Sequence, residues 1–116
     1  MLIRPFKAVR PRVDAASQVA ALPYDVYDRA EAAAAVEGKP LSFLNIDRPE
    51  TQFAPDADMY ADDVYAKGRE LLEARIADGT YVADEASCFS LYELVMDGRC
   101  QVGIVACCAV ADYLDG

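Results

Sequence analysis

The chain has 116 residues, 54% of them hydrophobic, with 20 acidic against 11 basic side chains and a formal net charge of −9. That length suits a single domain (1–116) with a modest core, and the composition is globular rather than disordered. The acidic balance opposes generic nucleic-acid binding, which needs a basic face for phosphates. The absence of histidine excludes Ser-His-Asp and Cys-His catalysis and histidine-based metal hydrolysis within these residues.

Residues 2–7 read as a short strand with Leu2, Ile3 and Phe6 as apolar anchors; Pro5, which lacks a backbone donor, places it at an edge or a strand end. Arg4, Lys7, Arg10 and Arg12 make a local basic cluster, read as a solvated strand and loop or as a phosphate contact. Asp14 is the expected N-cap of a helix running to about Leu22, with Val13, Ala16, Val19 and Ala20 inward, stopped by Pro23. Asp28 is the expected N-cap of a second helix, Arg29 to Val36, rich in alanine and closed by Gly38 and Pro40. Ser42 to Ile46 is a short apolar run that reads as a buried strand, and 50–58 reads as a mobile surface excursion around Pro55.

The longest helix is expected from about Asp58 to Ala77, with Val64, Tyr65, Gly68, Leu71, Leu72, Arg75 and Ile76 at the helical period and Asp78-Gly79 as its stop. Thr80 to Val82 adds a short extended piece. Two β-rich runs, Ser87 to Met96 and Arg99 to Ala111, flank Asp97-Gly98, a favoured two-residue hairpin turn. That turn pairs Met96 with Arg99, puts Tyr92 opposite Gly103, and gathers Phe89, Leu91, Glu93 and Val95 on one face opposite Ala106, Ile104, Val102 and Cys100. It also sets Cys88 opposite Cys107, a conceivable cross-strand disulfide, although free cysteine buried as a small hydrophobe is commoner. The fold class is therefore α+β (mixed α/β): a small mixed sheet, about three helices and a C-terminal β-hairpin.

The four cysteines show no CxxC spacing, and no metal site is expected. The acidic tract Asp56, Asp58, Asp62 and Asp63 lacks a calcium-loop pattern and suits the start of a helix. The chain start has no apolar signal core and no run approaches a membrane span; a cytoplasmic protein with reduced thiols is the simplest reading.

Three segments escape periodicity: Ile3-Arg4-Pro5-Phe6-Lys7, Leu22-Pro23-Tyr24-Asp25-Val26, and Ser42-Phe43-Leu44-Asn45-Ile46-Asp47-Arg48-Pro49-Glu50. Their order, with Arg10-Pro11 between the first two and the hairpin before Ala111-Asp112-Tyr113, resembles the N-terminal part of a prokaryotic family catalogued as domain of unknown function one thousand and fifteen. The resemblance covers essentially the whole chain. It implies a longer protein with a downstream Gly-His-His-Arg segment, similar to the phosphate-binding motif of the ParB and sulfiredoxin type of fold, which includes a free-serine kinase. The implied function is nucleotide binding or phosphotransfer, with a nucleotide as cofactor of the longer protein. These 116 residues hold no such motif, need no cofactor of their own, and are expected to be an inactive N-terminal fragment.

Within that frame Pro23, Tyr24, Asp25, Asn45 and Arg48 are the candidate binding residues. Asp25 is the one catalytic candidate, as a general base or a metal ligand. Each has a plainer reading. Asp25 suits a turn aspartate bonded to its own backbone, and Asn45, Asp47, Arg48 and Glu50 suit loop chemistry with an Arg–carboxylate pair. The alternative function is a non-enzymatic interaction module that pairs through an exposed sheet edge. A homo-oligomer covering that edge is the expected assembly, with no membrane and no nucleic acid as partner.

Overall fold

The computed structural model describes residues 1–115, and the chain divides into two compact units. One comprises Pro11–Val82; the other comprises Met1–Arg10 and the chain from Ala83 onward. The strands β2 (Val9–Pro11) and β3 (Tyr81–Ala83), which pair with each other, are the two stretches at which the chain passes from one unit to the other.

The Pro11–Val82 unit is largely helical. A 3-10 turn, Val13–Ala15, leads into the short α1, Ala16–Val19. The helix expected to run to Leu22 is thus reduced to one turn, and Asp14 does not cap it. Ala15 holds the N-cap position of α1 and Arg12 that of the 3-10 turn, and Asp14 accepts a hydrogen bond from Arg12 instead. Ala15 and Val19 face inward, whereas Val13, expected on the inner face, is 94% exposed. Helix α2, Arg29–Val36, follows the expectation. Asp28 accepts from the Glu31 N–H at 2.8 Å and Glu31 accepts from the Asp28 N–H at 2.9 Å, a reciprocal capping box.

The run that reads as a buried strand is instead a helical turn, α3, Leu44–Asp47. Local side-chain bonds decide this. The Asn45 amide donates to Ser42 O and Lys39 O, both at 3.0 Å, and the Asp47 N–H donates to Phe43 O at 3.0 Å. A short apolar run cannot be assigned by periodicity alone, and here side-chain bonding closes the backbone into a turn. The stretch expected to be a mobile excursion is also structured. Pro49–Gln52 forms a 3-10 turn in which Glu50 is buried, and Arg29 donates to Ala57 O at 2.6 Å and Ala54 O at 3.1 Å.

Helix α4, Asp62–Ala77, starts four residues later than expected, because Asp58 closes a turn on the Tyr60 N–H at 2.9 Å. Its Val64 and Gly68 are buried. A Cβ at Gly68 would lie 3.2 Å from Ile46 O and 3.4 Å from Pro49 Cγ, so glycine is what lets α4 approach the α3 segment. Gly79, at φ +82°, supplies the left-handed stop. A core cluster of Ala15, Val19 and Tyr81 is completed by half-buried Leu41, Ile46 and Leu72.

In the other unit, β1 (Ile3–Arg4) pairs antiparallel with β6 (Cys107–Cys108), and Phe6 bridges Cys88. The strand expected over 2–7 is therefore interrupted at Pro5. Strands β4 (Ser90–Met96) and β5 (Arg99–Val105) form the hairpin in the expected register: Met96 opposite Arg99, Tyr92 opposite Gly103, Leu91 opposite Ile104. Asp97 at φ +54° and Gly98 at φ +74° make the turn that the Asp-Gly pair announces. A short helix α5, Val110–Asp115, follows. Beyond Val105 the expected register ends: Cys107 lies opposite Arg4 and Cys88 opposite Phe6, which removes the conceivable Cys88–Cys107 disulfide. All four cysteines are free, and they are exposed rather than buried. The α+β class holds, with the strands distributed over three two-stranded ladders.

Candidate functional site

The second and third motif segments meet in the Pro11–Val82 unit, and Arg48 joins them. Pro23, with φ −53° and ψ 145°, starts a 3-10 turn over Tyr24–Val26. The residue after α3 is Arg48, whose Nη1 donates to Tyr27 O at 2.8 Å and Tyr24 O at 3.0 Å. Its Nε donates to Glu50 Oε1 in a buried ion pair. Pro49 sets the turn that brings Glu50 under the guanidinium: it occupies the first 3-10 position, where a missing N–H costs nothing. Glu50 is 4% exposed. A buried cation needs a countercharge and hydrogen-bond partners; Arg48 has Glu50 as countercharge and partners for its Nε and Nη1 donors. Its role is to hold the Tyr24–Tyr27 turn in place.

The other candidates separate into two groups. Tyr24, Asp25 and Arg48 line a groove of about 320 Å³, together with Asp47, Tyr60 and Tyr65. Asn45 is 7% exposed and spends its side chain on the loop, donating to the Lys39 and Ser42 carbonyls and accepting from Gln52 Nε2 at 2.8 Å. Asn45 and Pro23 thus shape the backbone and do not line the groove. Asp25 is exposed and forms no ion pair or side-chain hydrogen bond among the described residues. Asp47 differs: desolvation raises its carboxyl above the usual range, the Arg48 charge opposes that, and the Glu50 charge adds to it.

Tyr60 and Tyr65 are the groove residues that sequence reasoning misses. Tyr65, expected on the inner face of α4, is instead exposed, and Tyr60 lies in the turn before that helix. Only the fold brings them beside Tyr24. Of the basic cluster near the chain start, Arg10 pairs with Asp84, and Arg12 bonds Asp14 and Gly79 O. Among the described residues no group of three or more cysteine, aspartate or glutamate side chains is arranged to hold a metal ion, and no helix is long and apolar enough to cross a membrane.

The family model described as "Protein of unknown function (DUF1015)" matches residues 3–116. The chain belongs to that family. No curated protein matches it, and no solved structure matches it.

Proposed function

We propose that this chain is a non-enzymatic interaction module whose docking element is the β4–β5 hairpin and whose partner is a second copy of the chain. One observation carries this reading. Leu91, Val95, Val102 and Ile104 share one hairpin face and are 61–82% exposed, beside strand edges that have no further ladder partner among the described residues. An isolated two-stranded hairpin is marginal in water, and an open edge is a template for another chain. With Phe89, this face offers on the order of 500 Å² of apolar surface per copy, somewhat below the ~800 Å² of a standard interface. That predicts a reversible dimer of modest affinity, related by a two-fold axis that sets the same face against itself.

The nucleotide and phosphotransfer function implied by the family resemblance has a weaker carrier here. The cation beside the Tyr24–Asp25 turn, Arg48, is occupied by Glu50 and two carbonyls, so nothing in this groove recommends a phosphate. Sedimentation velocity from low micromolar to near-millimolar concentration tests the proposal. A concentration-dependent dimer is expected, and Leu91→Lys with Ile104→Lys should return it to monomer with an unchanged circular dichroism spectrum. A wild-type chain that stays monomeric throughout overturns it.

A further inference from the structure

We propose that the groove between the Tyr24–Val26 turn and the start of α4 is a binding site for an organic cation, a protonated amine or guanidinium on a short carbon chain. Three tyrosines from separate segments, Tyr24, Tyr60 and Tyr65, border a hollow of about 320 Å³, which lies at the small end of the ~300–1,000 Å³ typical of small-molecule sites. Each is more than half exposed: Tyr24 is 56%, Tyr65 59% and Tyr60 71% exposed. Aromatic faces carry negative quadrupole density, and several around one hollow select cations over neutral or anionic groups.

The charges agree with the rings. Four ionisable groups besides the tyrosines line the groove: Asp25, Asp47, Arg48 and Glu50. Arg48 and Glu50 neutralise each other in their buried pair. The Asp25 and Asp47 carboxylates remain, with no cation paired to either among the described residues. An anion would meet two carboxylates that lack an ion-pair partner, and the chain's net charge of −9 adds a repulsive field. The Asp47 carboxyl is raised, and the charge of a bound cation would act against that rise as the Arg48 charge does. Tyr24 and Asp25 are held by the Arg48 bonds to the turn carbonyls, so one wall of the groove is preorganised.

The test is a titration followed by amide ¹H–¹⁵N spectra, with tetramethylammonium chloride, agmatine and a Gly-Arg-Gly peptide as probes. Sodium chloride at matched ionic strength is the control, and sodium phosphate is the anionic comparison. Saturable shifts at Tyr24, Asp25, Asp47, Tyr60 and Tyr65 are expected with the organic cations alone. A stronger response to agmatine assigns the site to a free small-molecule cation, and a stronger response to the peptide assigns it to an arginine side chain; either supports the proposal. Tyr60→Ala should weaken binding about two- to fivefold, the loss expected for one exposed cation–π contact, while Tyr60→Phe retains it. Asp25→Asn should weaken it by a similar factor. Both positions are exposed, and unchanged shifts elsewhere in the spectrum verify that each variant is folded. Shifts no larger than those with sodium, or saturable phosphate shifts at the same amides, overturn the proposal.

Discussion

Leu44 and Leu91 are the same side chain in two regions of one molecule: the first is 1% exposed, the second 82%. Leu44 lies in the Pro11–Val82 unit, where the buried polar groups, the Tyr81 hydroxyl excepted, find internal partners: Asn45 bonds loop carbonyls, Arg48 bonds Glu50 and two carbonyls, and the Thr80 N–H donates to Asp78 at 2.9 Å. Leu91 lies in a hairpin whose register is complete and whose apolar face has no cover. Backbone pairing and side-chain burial are therefore separable. A hairpin satisfies its own N–H and C=O groups across one ladder, yet two strands make only a surface, and a core needs a second layer. The first region buries its leucine among its own residues; the second keeps an apolar face exposed, and that is the face on which the proposed partner is placed.

Removing Arg48 should break this contrast most severely. Arg48→Ala leaves Glu50 as an uncompensated buried charge and releases the carbonyls of Tyr24 and Tyr27, and breaking such a pair costs about 3–5 kcal/mol. A large fall in the urea midpoint is expected. Arg69→Ala, which removes only the exposed pair with Glu73, should leave the midpoint unchanged, since surface pairs contribute little. Equal midpoints for the two variants would show that the Arg48 junction is not what secures this unit.

Gly68→Ala should act more weakly and sets two effects against each other. Alanine is favoured over glycine in a helix interior by about 0.8–1 kcal/mol. The added methyl, however, would meet Ile46 O at 3.2 Å and Pro49 Cγ at 3.4 Å, and overpacking typically costs about 1–3 kcal/mol. A backbone oxygen cannot swing aside as a side-chain terminus can. A net loss of about 1 kcal/mol is therefore expected by denaturant titration, together with shifted amide resonances across Ile46–Pro49. A stabilised Gly68→Ala variant would mean that α3 and α4 are less closely seated than the structure places them.

The parts legible in the sequence share one property: their signals are local and carry their own geometry. Asp97-Gly98 set a hairpin register that holds through seven residue pairs, and Asp28 with Glu31 form the helix cap. Elements decided by competition are not legible in this way. Ser42 to Ile46 has the hydrophobicity of a strand, but the Asn45 side chain bonds the preceding carbonyls and closes a helical turn. The β-rich run after the hairpin turn continues past Val105, yet there its residues leave β4 and pair with β1. Asp14 has the chemistry of a cap, yet the neighbouring Arg12 engages it. For the site, Tyr24, Asp25 and Arg48 are readable because proline punctuation marks shaped loops. Tyr60 and Tyr65 are not, because their chemistry exists only where the start of α4 comes beside the Tyr24 turn.

The smallest expected effect is a pH dependence in the hairpin's own unit, centred on Asp84. Hydrogen bonding from Arg10 at 2.6 Å lowers this carboxyl most, Cys88 Sγ adds at 3.3 Å, and the Ala8 N–H adds at 3.1 Å. A lowered folded-state pKa means that the unfolded chain binds the proton first as acid is added. The contribution of Asp84 is therefore fully present above the ordinary aspartate range, about 3.9. It is lost as pH falls from there through the folded value. The same contact raises the Cys88 thiol, through its bond to Asp84 first and with slight desolvation and the Asp84 charge adding to it. That contribution runs the other way: it is present below the ordinary thiol range, about 8.5, and is lost as pH rises through the raised value. Because the thiolate is the nucleophile, Cys88 should react slowly with iodoacetamide at mildly alkaline pH. Asp84→Asn should speed that reaction and flatten the acid limb of stability against pH. Unchanged alkylation of Cys88 in Asp84→Asn, read by mass spectrometry of the modified peptide, would show that the carboxylate does not govern the thiol and that the uncovered region lacks even this internal polar anchor.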